Sequence, residues 1–260
     1  MNLRTIAVSL ALMSALLGAC GGNTGAKKDV PDVSEASMRN MDLAIAYFRQ
    51  GDLSSAKEKI ERALEQDSRN AQAQMFAGIL YQRLKEDDKA DMHFDRALSL
   101  ESSNSEIRNS YGQFLCARGK YARGEKLLVA AAADTLYKTP ELAYLNAGYC
   151  ARGAGDMKKA EQHFRSALAK NPTFTLALLE MADLEFKSNQ PLLARAFLER
   201  YFSAASATPA ALLLGVKIEN ALGNRQHAED YARRLRADFS DSPEARSLAA
   251  PAPPPARRVR

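Results

Sequence analysis

Six side chains in this 260-residue sequence could serve as nucleophile, base or soft metal ligand: Cys20, Cys116, Cys150, His93, His163 and His227. Their spacing argues against the more demanding chemistries. His93 and His163 fall at the same place in a repeating pattern, two units apart. Neighbouring helices pack about 8–10 Å apart, whereas zinc–nitrogen bonds are about 2 Å long, so the two imidazoles cannot share a metal. No HExxH, GxSxG, phosphate-loop or dinucleotide glycine pattern occurs. The paired acids Asp87-Asp88 precede a helical stretch, where negative charge complements the helix N-terminus, and they read as caps rather than as acid and base. The sequence thus predicts no enzyme: no catalytic residue, no metal site and no cofactor. What remains is the chemistry of thiols.

Cys20 ends a leader. Arg4 is followed by an apolar run from Ile6 to Leu17, too short to span a bilayer comfortably but right for the core of a signal peptide. Leu17-Gly18-Ala19-Cys20 resembles the bacterial lipobox, which implies removal of residues 1–19 and acylation of Cys20. Three acyl chains, at about 0.8 kcal/mol per buried CH₂, would anchor the chain permanently. Gly21, not Asp, follows the cysteine. By resemblance to bacterial lipoproteins, this implies the outer membrane, with the body in the periplasm. Residues 20–36 are polar and Gly-rich at their start, and read as a flexible tether. The net charge is +5, and Arg4, Arg257, Arg258 and Arg260 supply most of the excess, so the body between them is close to neutral. No basic stripe suggests nucleic acid.

The elements that position these residues follow from a period. Tyr47 and Tyr81 are separated by 34 residues, as are Ala56 and Ala90, Ala63 and Ala97, and the series Ala160, Ala194, Ala228. Thirty-four residues is the tetratricopeptide (TPR) repeat length. Small residues recur where two antiparallel helices must approach, and bulky ones where the space between them must be filled. Examples are Gly78 with Phe94 and Gly148 with Phe164. Turn signals occur at Gly51-Asp52, Gly119-Lys120, Gly155-Asp156, Asn189-Gln190-Pro191 and Gly223-Asn224. The expected fold is all-α: a right-handed superhelical solenoid of six TPR hairpins over residues 37–242. The units are 37–70, 71–104, 105–138, 141–174, 175–208 and 209–242, with two residues inserted near Thr139 and a loose sixth unit, as terminal repeats tend to be. Residues 243–260 form a short cap and a disordered Pro/Arg-rich tail.

In such arrays the first helices line a concave groove. Unit one presents Met38, Met41, Ile45 and Phe48 there, while Leu43, Ala44 and Tyr47 supply its packing face. Unit two adds Gln72, Met75, Ile79 and Gln82. A helix apolar on two faces is either covered on both or open to a partner, and methionine suits an adaptable binding surface. Met38, Met41, Ile45, Phe48, Met75, Ile79 and Gln82 are therefore the candidate partner-binding groove. Unit three turns polar with Glu106, Asn109 and Gln113. Units four and five return to Leu142, Leu145, Tyr149, Leu176, Leu179 and Phe186. Cys116 and Cys150 lie on adjacent first helices near this face, and in an oxidising periplasm they are expected to form a disulfide between units three and four.

Several stretches go beyond generic TPR residues: Asn109-Ser110-Tyr111-Gly112-Gln113-Phe114-Leu115-Cys116, Asp134-Thr135-Leu136-Tyr137 at the insertion, Leu179-Glu180-Met181-Ala182-Asp183-Leu184, and Leu212-Leu213-Leu214-Gly215-Val216-Lys217-Ile218. With the lipobox and six repeats, they resemble the type IV pilus biogenesis pilotin family known as PilF or PilW, over nearly the whole mature chain. The Pro/Arg tail departs from that pattern. The resemblance implies a monomeric outer-membrane lipoprotein whose partners are secretin subunits, and which promotes their localisation and multimerisation for pilus biogenesis. The alternative is a generic periplasmic TPR adaptor lipoprotein serving barrel assembly or cell-wall hydrolases.

Overall fold

The computed structural model describes residues 34–249, which form thirteen helices and no strand. Twelve pair as antiparallel hairpins: α1 (Glu35–Gln50) with α2 (Leu53–Gln66), α3 (Ala71–Arg83) with α4 (Asp87–Leu100), α5 (Ser105–Ala117) with α6 (Tyr121–Ala132), α7 (Pro140–Gly153) with α8 (Met157–Lys170), α9 (Thr175–Lys187) with α10 (Pro191–Ala204), and α11 (Pro209–Ala221) with α12 (Arg225–Asp238). A short α13 (Pro243–Ala249) packs on α11 and α12. Each hairpin stacks on the next, giving a TPR solenoid.

The hairpins close by size complementarity. A Cβ added at Gly148 would lie 2.2 Å from the Phe164 ring, one at Gly78 2.7 Å from Phe94, and one at Gly112 2.7 Å from Leu128. Units one and five carry Ala44 and Ala182 at the equivalent place, and the second-helix residues there are aliphatic, Ile60 and Leu198. Unit six uses Gly215 against Tyr231, one position earlier in the repeat than the other units. Side-chain caps fix several helix starts: Asp52 accepts from the Ser55 amide at 3.0 Å, Asn70 from Ala73 at 3.0 Å and Asp156 from Lys159 at 3.0 Å. Each such cap contributes about 1 kcal/mol. Asp87 and Asp88 are not caps. Glu86 holds that position without a side-chain bond, and the two aspartates sit in the first turn of α4, where Asp87 pairs with Arg118 at 2.7 Å.

A left-handed residue closes all six hairpin turns: Gly51, Lys85, Gly119, Gly155, Asn189 and Gly223. The sequence signals five of them. Lys85 carries no turn signature, yet takes φ 61° because the stacking of α3 on α4 demands the same turn.

Two buried positions carry charge where the repeat wants bulk. Glu185 and Glu219 are both nearly inaccessible. Glu185 receives Arg165 at 2.9 Å, and Glu219 receives a two-pronged contact from Arg195 at 2.8 and 2.6 Å. Burial, reinforced by Glu161, pushes the Glu185 carboxyl above its ordinary range despite Arg165. Burial acts on Glu219 in the same direction, but hydrogen bonds from Arg195 and Asn224 outweigh it and hold that carboxyl below its ordinary range. These contacts join α8 to α9 and α10 to α11, so they stitch successive units together.

Between units three and four the connection lengthens to Ala133–Thr139. Ser105 donates to Asp134 at 2.6 Å, and Asp134 accepts from the Leu136 amide at 2.9 Å, which fixes this loop against α5. A Cys116–Cys150 disulfide, with Cα atoms 5.2 Å apart, joins α5 to α7 across the insertion.

Three stability measurements test these assignments. Replacing Lys85 by Gly should raise unfolding free energy by about 1 kcal/mol, since a left-handed side-chain residue costs roughly that much; a denaturant midpoint that does not rise contradicts the turn assignment. Gly148→Ala should lower it by about 1–3 kcal/mol through overpacking against Phe164, read as an earlier midpoint with unchanged slope. The double variant Cys116→Ala/Cys150→Ala should lose about 2–4 kcal/mol, the usual effect of losing a bridge across a loop this long; equal stability with and without reductant would show that the bridge contributes nothing.

Candidate functional site

Of the residues singled out in the sequence, Cys20 lies outside the described region. The apolar groove residues lie on two adjoining helices: Met38, Met41, Ile45 and Phe48 on α1, and Met75, Ile79 and Gln82 on α3. Each α1 residue recurs at i+3 or i+4, which puts all four on one side of the helix. None is sealed in the core. Met38 is 41% exposed, and Met41, Ile45, Phe48, Met75 and Ile79 are half-buried against the first hydrophobic core. Phe48 meets Phe76 edge to face at 5.6 Å, and a cleft beside it is bounded by Gly51, Leu53 and Arg83. Gln82 is half-buried at the rim of the same face.

Leu43 departs from its expected packing role. It is 47% exposed, because it occupies the side of α1 that in every later unit meets the preceding hairpin. Unit one has no predecessor among the described residues.

Along α5 and α7 the face becomes polar and ordered. Asn146 donates from Nδ2 to Asn109 Oδ1 at 3.0 Å, and its own Oδ1 accepts a long contact from Gln113 Nε2 at 3.5 Å. Asn146 is buried, Asn109 half-buried and Gln113 exposed. The Cys116–Cys150 bridge clamps the same two helices near their C-terminal ends. Beyond this band lie half-buried Leu142, Tyr149, Leu179 and Phe186, with Leu176 50% exposed. Leu145, expected on this face, is instead 1% exposed and belongs to the second core with Leu178 and Met181. Leu145 is drawn into that core by Leu178 and Met181 of α9. Asn146 takes the place assigned to it, so the buried amide is a feature the repeat register alone misassigns by one residue.

Near the C-terminal end, Arg152 pairs with Glu180 and stacks 5.0 Å above the Tyr149 ring. Burial and the Glu180 charge push the Tyr149 hydroxyl up to about 12, so it stays a neutral donor. A cleft there has Leu179, Leu213 and Leu214 on its floor, with Arg152, Asp183 and Lys217 at its rim.

Two histidines serve packing, while His227 is exposed, 3.8 Å from the Glu219 carboxylate. His93 donates from Nδ1 to Gln74 Oε1 (2.7 Å) and stacks on Tyr81 at 5.2 Å, and burial lowers its proton affinity. His163 meets Glu125 at 2.9 Å on another hairpin interface. Among the described residues, no cluster of histidine, cysteine, aspartate and glutamate is placed to hold a metal. The surface thus offers apolar contact and neutral amide hydrogen bonding, which is the chemistry of polypeptide recognition.

Comparison with known proteins agrees with this architecture. Tetratricopeptide-repeat family models match residues 41–106 and 112–173, and a further one matches residues 151–218. The crystal structure of PilW, described as a widely conserved type IV pilus biogenesis factor, superposes with a TM-score of 0.76 at 36% identity, covering 84% of this chain and all of that one. A PilF structure from Pseudomonas aeruginosa superposes with a TM-score of 0.72 at 27% identity, covering 83% of this chain and 97% of that one. The type IV pilus assembly protein PilF of that organism is 28% identical over 210 residues, which is 81% of this chain and 83% of its own length. The chain belongs to the PilF/PilW family of tetratricopeptide-repeat proteins of type IV pilus biogenesis.

Proposed function

We propose that this chain is a pilotin: an outer-membrane lipoprotein, acylated at Cys20, that binds secretin subunits of the type IV pilus machinery and promotes their localisation and multimerisation. The observation that carries this reading is the apolar stripe on α1 and α3. Met41, Ile45, Phe48, Met75 and Ile79 are half-buried against a complete core yet still open to solvent, with Met38 more exposed than any of them. Membership of a pilus biogenesis family points to a partner in that machinery. The Cys116–Cys150 bridge supports an oxidising compartment such as the periplasm.

The mechanism is tethering and binding, with no catalytic step. An acyl anchor holds the solenoid at the inner leaflet of the outer membrane. The groove keeps secretin subunits beside one another there, so ring closure proceeds at raised effective concentration. The groove side chains supply affinity through burial of apolar surface at about 25 cal/mol per Å².

Two outcomes are expected. Deleting the gene should abolish secretin multimers on a denaturing gel while outer-membrane barrel proteins remain normal; the loss of barrel proteins instead would favour the general adaptor. Charged substitutions Met41→Glu and Ile45→Glu should weaken capture of purified secretin by at least about tenfold, since burying an unpaired charge costs more than 1.4 kcal/mol. Both sites are half-buried but not fully enclosed, so helicity by circular dichroism should persist. Unchanged capture would remove the groove from the mechanism.

A further inference from the structure

Because the hairpins stack in one sense, every hairpin turn lies on one edge of the solenoid and every connection between hairpins on the other. The two edges differ in charge. The connections hold Asp67, Glu101, Asp134 and Asp241 against Arg69 and Lys138. At the turns of units three to six, exposed Arg118, Lys120, Lys158, Lys159, Lys187 and Arg225 line the edge. Four of these bases pair with Asp87, Asp91, Glu125 and Asp183, and in each pair the base is the more exposed partner and the carboxylate is recessed. Asp156, at the same edge, is spent on the Lys159 amide. Apolar side chains stand among the bases. Met157 opens α8 and is 51% exposed, and Leu192 and Leu193 at the start of α10 are 69% and 39% exposed. All three are left outside the hydrophobic cores. Unit two has Asp87 and Asp88 at this place and unit six has Arg225 and Gln226, so the repeat does not need apolar residues there.

We propose that this turn edge lies on an anionic phospholipid surface, with Met157, Leu192 and Leu193 entering the boundary between headgroups and acyl chains and the surrounding bases meeting lipid phosphates. Apolar tips ringed by lysine and arginine are the chemistry that binds such a surface. Exposed tips one repeat apart suit a fluid interface, which closes around each separately. A purely acidic partner would use the bases and leave the leucines in water. The proposal rests on the anchoring at Cys20 in the proposed function, which brings a membrane within reach. Ser34 follows Cys20 by fourteen positions, a reach of up to about 50 Å. Helix α1 has 16 residues and is about 24 Å long, so the tether is long enough for either edge to face the membrane. The consequence is an orientation. The helices stand roughly upright on the membrane, the concave face opens along it, and the acidic connection edge, with Leu136 89% exposed, points away.

The test uses the full mature chain in two forms: acylated in nanodiscs, and unacylated as Cys20→Ser with vesicles. The Cys20→Ser chain should sediment with vesicles of phosphatidylethanolamine and phosphatidylglycerol, dissociate in about 1 M salt, where charges are screened within about 3 Å, and ignore phosphatidylcholine alone. The double variants Leu192→Ser/Leu193→Ser and Lys158→Glu/Lys159→Glu should each weaken binding at least about tenfold. Leu136→Ser, on the opposite edge, should leave it unchanged. All these positions are exposed, and unchanged melting temperatures establish that each variant is folded. In nanodiscs, the amides of Leu192 and Leu193, which no side chain caps, should exchange more slowly than in the free Cys20→Ser chain. Protection that the double variants abolish decides the case if the unanchored chain sediments too weakly to measure. Protection at Leu136 instead, protection at neither edge, or binding indifferent to lipid charge or to both double variants would overturn the proposal. So would double variants that lose capture of purified secretin yet keep lipid contact, since the edge would then dock protein. Mass spectrometry of the N-terminal peptide reads the anchor separately. An unacylated Cys20 with vesicle binding intact would remove the anchor and leave the lipid-binding edge, and an acylated Cys20 without vesicle binding or protection would do the reverse.

Discussion

Each hairpin in this chain closes because glycine or alanine on the first helix lets a larger residue from the second come close to its backbone. Gly148 beneath Phe164 and Gly78 beneath Phe94 leave no room for even a methyl group. That contact sets the distance and angle within a hairpin. Repeated every thirty-four residues, it also sets how each hairpin meets the next. Everything on the inner face depends on it. The first helices spend one side on their hairpin partner and another on their neighbours, and the side left over becomes the groove.

Where the pattern is interrupted, other forces take over. The inserted residues before α7 lengthen one connection, and there the structure concentrates its specific links: the Ser105–Asp134–Leu136 bonds, the Asn109–Asn146–Gln113 amides and the Cys116–Cys150 bridge. One helix pair on, Leu145, Leu178 and Met181 join α7 to α9 in one apolar core. The solenoid is therefore held by a repeated steric rule within its hairpins and, where units three and four meet, by directional bonds beside the polar band of the groove. Buried Glu185 and Glu219 continue that theme towards the C-terminal end. They exchange the bulk of an apolar residue for an ion pair with the adjacent unit. Such pairs add little net stability against a hydrophobic alternative, but breaking one leaves a buried charge.

Membership of the PilF/PilW family ties the chain to type IV pilus biogenesis. Half-buried methionine, isoleucine and phenylalanine on α1 and α3 keep a foothold in the core, which orders them in place. Preorganisation of this kind lowers the entropy lost on association. The open N-terminal side of α1, with Leu43 exposed, is a simple end effect and needs no ligand to explain it.

The sequence by itself determined the repeat, its six turns bar one, the helix pairs and the identity of the stripe on α1. All of these are local: a thirty-four-residue period, a glycine after a helix and an apolar residue every third or fourth place report on their own neighbourhood. What depends on distant partners emerged only once the helices were packed together. Lys85 is left-handed because the stack imposes the turn. Leu145 is buried because α9 packs against it, and Leu43 is exposed because no hairpin precedes α1 among the described residues. Asp87 sits within its helix, not before it, because the backbone, and not the charge, chooses where the helix begins. The Asn109–Asn146 bond exists only once α5 and α7 are side by side. A side chain's burial and bonding belong to the space between elements, and a sequence pattern read along one element does not contain that space.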